Sequence, residues 1–167
     1  NSPEYLRMNP KGRVPTLLTD RGILTETPAI LQFICQTYPD AGLAPLNDTF
    51  ELARMNAFNS YLCSTVHVAH AHRLRGSRWA DDPHAIAAMQ KKVPQSVADG
   101  FALIEDELQG PWVLGDCYSI SDIYLFTLAQ WLEADGVDPE RLPRVANHRE
   151  RMLQNPSVAK IVAAETS

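Results

Sequence analysis

Three short stretches hold residues whose types and spacing could do chemistry. In Asn9-Pro10-Lys11-Gly12-Arg13-Val14-Pro15-Thr16-Leu17, a proline heads an apolar run, where it removes a donor from a strand ladder. A cis Val14-Pro15 bond would turn the Val14 N–H and C=O outward, able to pair with a peptide as a short antiparallel strand. An ordinary trans proline at a strand's first residue is the alternative, and trans bonds are far commoner. Glu26-Thr27-Pro28 reads as a helix start, with Thr27 as cap, Pro28 in the first helical position and free N–H groups forming a seat for a carboxylate. A plain helix start explains the same residues. Tyr118-Ser119-Ile120-Ser121-Asp122-Ile123 has the parts of a capping box, with Ser119 as N-cap, Asp122 reaching back to it and Tyr118 packing on Ile123. By itself this is a stability device, and capping alone is worth about 0.5–2 kcal/mol.

His67, His70 and His72 invite a metal reading. At 100° per residue, however, His72 points about 140° away from His67, so one helix cannot aim all three at one ion, and no metal is expected. With Arg73, Arg75 and Arg78 nearby they read either as a polar cleft wall facing a thiolate or anionic substrate, or as a solvated helix face. Cys35, Cys63 and Cys117 lie far apart, form no C-x-x-C pair and read as reduced core thiols.

The elements that must position these residues follow from periodicity. Val14 to Thr19 and Ile23 to Thr25 flank Asp20-Arg21-Gly22 as two short antiparallel strands, and Ile30, Phe33, Ile34 and Tyr38 recur at helical spacing up to Pro39. Asn1 to Arg7 carry little pattern. After a linker at Ala44 to Asn47, with Asp48 as a cap, all remaining segments read as helical. One long helix runs from Leu52 to near Gly76, and a second runs from Ile86 to Leu108 with a kink expected at Pro94. A third spans Ile120 to about Ala134, and shorter helices cover Val145 to Leu153 and Val158 to Ala163. The 167 residues are 45% hydrophobic, enough for a sizeable core, and the formal charge of -5 lacks the basic stripe that nucleic acid needs. No stretch approaches the roughly 18 apolar residues of a membrane span and no leader-like segment opens the sequence, so a cytoplasmic protein is expected.

The order of these pieces resembles the cytosolic glutathione S-transferase family over essentially the whole chain. The Asn-Pro-Lys-Gly-Arg-Val-Pro-Thr-Leu segment, the hairpin, Glu-Thr at a helix start, the helical remainder and the Ser-x-x-Asp box all take part. Gly110-Pro111-Trp112-Val113-Leu114-Gly115 before the box and Asp122 to Phe126 within it look most like bacterial members near the beta class.

The resemblance implies an α/β plus all-α architecture: the C-terminal half of a thioredoxin-like domain over residues 1–42, a linker at 43–47 and a transferase-type helical bundle over 48–167. It places the backbone partner of the glutathione cysteinyl unit on Val14 with Pro15, and the γ-glutamyl seat on Glu26 and Thr27, threonine replacing the usual serine. Ser64 matches a residue that approaches glutathione, while His67 and Trp131 match residues of the second-substrate pocket. Glutathione is implied as co-substrate, a small electrophile as second substrate and a homodimer as assembly. The family's opening β-α-β unit, which carries the Tyr, Ser or Cys that activates the thiol, has no counterpart in this reading. No catalytic residue is therefore assigned, and His67 stands as a candidate auxiliary. A non-catalytic dimerisation or interaction module of the same fold is the alternative.

Overall fold

The computed structural model describes residues 2–166. It opens on a short helix, α1 (Pro3–Met8), where the sequence had shown little pattern; Ser2 caps it by accepting from the Tyr5 N–H. A loop leads to an antiparallel hairpin of β1 (Thr16–Thr19) and β2 (Gly22–Thr25), in register from Thr16 opposite Thr25 to Thr19 opposite Gly22. The first strand is shorter than expected. Val14 and Pro15 precede the ladder, because the Val14-Pro15 bond is cis and leaves the pairing to begin at Thr16.

Helix α2 (Thr27–Thr37) follows, but its start differs from the expected one. Glu26, not Thr27, is the N-cap residue, Thr27 is the first helical residue and Pro28 the second. A short 3₁₀ turn at Pro39–Ala41 ends on Gly42, and Asp48 caps α3 (Thr49–Tyr61) by accepting from the N–H groups of Phe50 and Glu51.

The expected long helix is interrupted. A π-helical turn at Leu62–Val66 separates α3 from α4 (His67–Arg75), and a 3₁₀ turn at Gly76–Arg78 closes it. Such a turn inserts one residue into the i→i−4 ladder and re-aims everything after it. The α5 helix (Pro83–Glu107) runs without interruption through Pro94, whose ring has Gly136 packed against it. Then α6 (Ile120–Ala129) ends five residues earlier than expected and passes into turns up to Gly136; α7 (Pro143–Leu153) and α8 (Pro156–Thr166) complete the chain.

The main core lies among α3 to α7, built on Phe58, Leu62, Val66, Val97, Phe101, Ile104, Leu125, Leu132 and Val145, with Leu31 of α2 packed against it. A smaller cluster of Cys35, Met55 and Ile120 joins α2 to α3 and α6. The Ile120 N–H donates to the Leu43 carbonyl at 3.0 Å, stitching the connecting segment to the start of α6. These contacts hold α2, which follows Glu26, against α3 and α6. All three cysteines are free thiols, but of the expected core thiols only Cys35 is buried; Cys63 is half-buried and Cys117, in the loop before α6, is exposed. No helix among the described residues is long and apolar enough to cross a membrane.

Candidate functional site

The loop before β1 is organised by Asn9, which is only 1% exposed. Its amide donates to the Arg13 carbonyl at 2.7 Å and to Thr16 Oγ1 at 3.1 Å, while its own oxygen accepts from the Lys11 N–H. The Tyr5 hydroxyl also donates to the Arg13 carbonyl. Arg13 is thus pinned from the inside while Val14, 83% exposed, faces outward. The cis bond proposed from the sequence is present.

Glu26 is the one described non-glycine residue in the left-handed region, with φ 73°. Such a conformation costs on the order of 1–3 kcal/mol and persists where surrounding structure enforces it, commonly at ligand sites. Lys11 Nζ donates to Thr25 Oγ1 at 2.7 Å and pairs with the Glu26 carboxylate. Both partners of that pair are about half exposed, so it contributes little to stability. Behind Glu26 lie the N–H groups of the first turn of α2, a favourable place for an anion.

The opposite wall is helical. His67 begins α4, and its Nδ1 lies 3.5 Å from the Tyr124 hydroxyl of α6; its ring meets Trp131 edge-on at 5.4 Å between centroids. Burial, and then the charges of His70, Arg78, Arg13 and Arg75, hold the His67 imidazole below the usual histidine range. Tyr124 is held well above the usual phenol range by burial, by its contact with Cys63 and by the charge of Glu26. It therefore remains a protonated donor. Helix α2, whose N-cap is Glu26, packs against α6, which carries Tyr124.

His70 stacks on Trp131 at 4.1 Å and 23°, and its Nδ1 lies 2.7 Å from the Asp135 carboxylate, which is 2% exposed. Arg73 Nε also sits 2.9 Å from Asp135, in ion-pair range although not aligned as a hydrogen bond. His72 turns the other way, onto Trp79 at 4.3 Å, as helical geometry requires.

Among the expected residues the structure brings His67 and Trp131 together, while Val14, Pro15 and Thr27 lie on the same edge of the chain as Glu26. Ser64 is not drawn in by any contact. It is exposed in the π-helical turn and its hydroxyl donates to the Ser60 carbonyl at 2.8 Å. Of the expected arginine wall, Arg73 is committed to Asp135, while Arg13, unmarked in the sequence, joins Arg75 and Arg78 around His67. Tyr124 and Asp135 were also missed, and the partner that fixes His70 could not be foreseen, since these roles depend on contacts across 57 or more residues of chain.

The capping box is formed. The Ser119 N–H donates to Asp122 Oδ2 at 2.8 Å, and the Ser119 hydroxyl both accepts from Ser121 N–H and contacts Asp122. Asp122 Oδ1 also accepts from the Val113 N–H at 2.8 Å and lies 3.0 Å from His148 Nε2. The Tyr118 ring lies edge-on to Trp112.

This arrangement has relatives. Residues 1–42 match the family described as Glutathione S-transferase, N-terminal domain, and residues 71–151 match Glutathione S-transferase, C-terminal domain. The N-terminal match does not support the expectation that the chain lacks the family's opening unit. The Escherichia coli O157:H7 glutathione S-transferase GstA is 32% identical over 99% of this chain and 80% of its own length. A maleylacetoacetate isomerase of Pseudomonas aeruginosa is 29% identical over 86% of this chain and 68% of its own. The crystal structure of a glutathione transferase homolog from Sulfitobacter, with bound glutathione, superposes with TM-score 0.94 at 42% identity, covering 98% of this chain and 79% of that one. The cis-proline edge, the helical wall and these matches together mean that the chain belongs to the glutathione S-transferase family.

Proposed function

We propose that this protein binds glutathione between the Val14–Thr27 edge and the His67–Trp131 wall and conjugates its thiol to a small electrophile. In this reading the Val14 backbone pairs with the cysteinyl unit beside Pro15. Glu26, Thr27 and the first turn of α2 hold the γ-glutamyl end. Ser64 lies on the approach to the thiol, and His67 and Trp131 border the second substrate. Sulfur attacks the electrophilic carbon as thiolate, the leaving group departs with its bonding pair, and the thiol proton passes to solvent. His67, held neutral, and Tyr124, held protonated, are the described groups nearest this path.

The observation that carries the reading is Glu26. A non-glycine residue at φ 73° stands before α2, at the head of the free N–H groups of its first turn, a strained placement that a scaffold does not need. The finer assignments belong to the same proposal: closeness to the beta class, a division near residues 42 and 48, a homodimer and a cytoplasmic setting. The exposed Phe50 of α3 is consistent with a partner subunit.

Calorimetric titration with glutathione tests the reading, beside a Thr27→Ala variant. Glu26 and not Thr27 is the N-cap residue of α2, so loss of the Thr27 hydroxyl should weaken glutathione about tenfold while leaving the melting midpoint in place. Unaltered affinity in the variant would remove Thr27 from the seat, and no binding by the parent chain would favour a non-catalytic interaction module.

A further inference from the structure

The end of α5, the loop that follows it and one face of α7 border a cavity of about 260 Å³. Arg144, Asn147, His148 and Arg151, three or four residues apart along α7, form one wall of it, and residues 108–111 form the other. It shares no lining residue with the Val14–Thr27 edge or the His67–Trp131 wall.

Both arginines of this wall carry a charge without a counter-charge. Arg144 donates to the Glu105 carbonyl at 2.8 Å, and Arg151 donates to Asn147 Oδ1 at 3.3 Å, its guanidinium 5.7 Å from the centre of the Trp112 ring. Neither takes part in an ion pair among the described residues, whereas Arg149 of the same helix is paired with Glu133. The Glu105 carboxylate is spent on the N–H groups of Arg144 and Val145 at the start of α7.

Unmet hydrogen-bonding capacity lies with the same residues. Arg151 Nε, a donor, has no acceptor, and His148 Nδ1 has no partner although the residue is only 1% exposed. Asp122 holds the other ring nitrogen, Nε2, at 3.0 Å. Both orphan atoms are shut off from bulk solvent, and buried polar atoms without a partner are uncommon in folded chains. A guanidinium fork is shaped to take a carboxylate or a phosphate, so the chemistry this wall lacks is that of an oxyanion.

We propose that this cavity binds a small molecule through an oxyanion, a carboxylate or a phosphate, held by Arg144 and Arg151 beside His148. Bound there, the anion ties the end of α5 to α7 and stabilises the folded chain without entering the transfer site.

The probes are succinate and phosphate, with neutral succinamide as the control, each titrated calorimetrically against the full chain at fixed ionic strength. At least one anion should bind about tenfold more tightly than succinamide and raise the melting midpoint, and the tighter of the two identifies the oxyanion as carboxylate or phosphate. Arg144→Gln with Arg151→Gln should weaken that anion about tenfold, and Arg144→Lys with Arg151→Lys should keep part of the affinity. Because Arg144 also ties α7 to α5, Arg151→Gln alone is measured beside the pair and should weaken the anion about threefold. Arg149→Gln removes the same charge from the same helix outside the cavity and should leave the affinity within about twofold. Anions that bind the parent chain no better than succinamide would overturn the proposal. So would a loss in Arg149→Gln as large as in the cavity variants, which would show attraction by overall charge alone. Competition between the anion and glutathione would place the anion in the transfer site and overturn it as well.

Discussion

Asp122 is where the structure changes a magnitude most. Capping alone assigns Asp122→Ala a cost of about 0.5–2 kcal/mol. The carboxylate, however, is 0% exposed and serves four groups: the N–H of Ser119 at 2.8 Å, its hydroxyl at 3.1 Å, the N–H of Val113 at 2.8 Å and His148 Nε2 at 3.0 Å. Alanine strands all of them. Each buried donor left unmade costs about 1–3 kcal/mol, and breaking a buried pair alone costs about 3–5 kcal/mol. Allowing for partial relaxation, the expected loss is about 4–6 kcal/mol, against a total stability of about 5–15 kcal/mol. In urea, with a slope near 2.5 kcal/mol per molar, the unfolding midpoint should fall by about 2 M. Asp122→Asn keeps an acceptor and most of the shape, and should fall by about half as much. A midpoint shift below about 0.5 M for the alanine variant would refute the reasoning, because it would mean that the box, the loop and α7 are not held through this one side chain.

Three further outcomes are expected. Glu26→Gly should raise the melting midpoint by the equivalent of about 1 kcal/mol, since glycine adopts φ 73° without strain and the exposed Lys11 pair is worth little; glutathione affinity should drop, and a lower midpoint would mean the backbone is not strained there. His67 has its pKa lowered in the folded chain, so the unfolded chain takes up the proton first: its stabilising contribution is present above about pH 6.5 and is lost as pH falls through the folded value. His67→Gln should flatten that part of the stability–pH curve, and superimposable curves for the two proteins would contradict the burial of the neutral ring. At Gly110 an added Cβ would lie 2.8 Å from the Gly115 Cα and carbonyl oxygen, where backbone cannot yield, so Gly110→Ala should cost about 1–3 kcal/mol by urea unfolding; a neutral result would show the loop to be free to shift.

The sequence by itself determined what is encoded over a few residues. Turn chemistry placed the hairpin, the Ser119 and Asp122 spacing placed the start of α6, and helical spacing separated His72 from His67 and His70. Proline heading an apolar run marked the cis bond, because a residue without an N–H has to be accommodated by a special backbone. The order of motifs carried the family. Only the tertiary structure decided the rest. Whether α3 and α4 form one straight helix depends on the π-helical turn at Leu62–Val66, where the apolar positions keep a helical spacing that does not record the inserted residue. Asp122 became more than a cap because Val113 and His148, 9 and 26 residues away, come to the same carboxylate. The helical wall likewise joins His67 to Tyr124 and Trp131, 57 and 64 residues further along the chain. Electrostatics and ring stacking act through space, so no periodicity along the chain records which charges and rings will face each other.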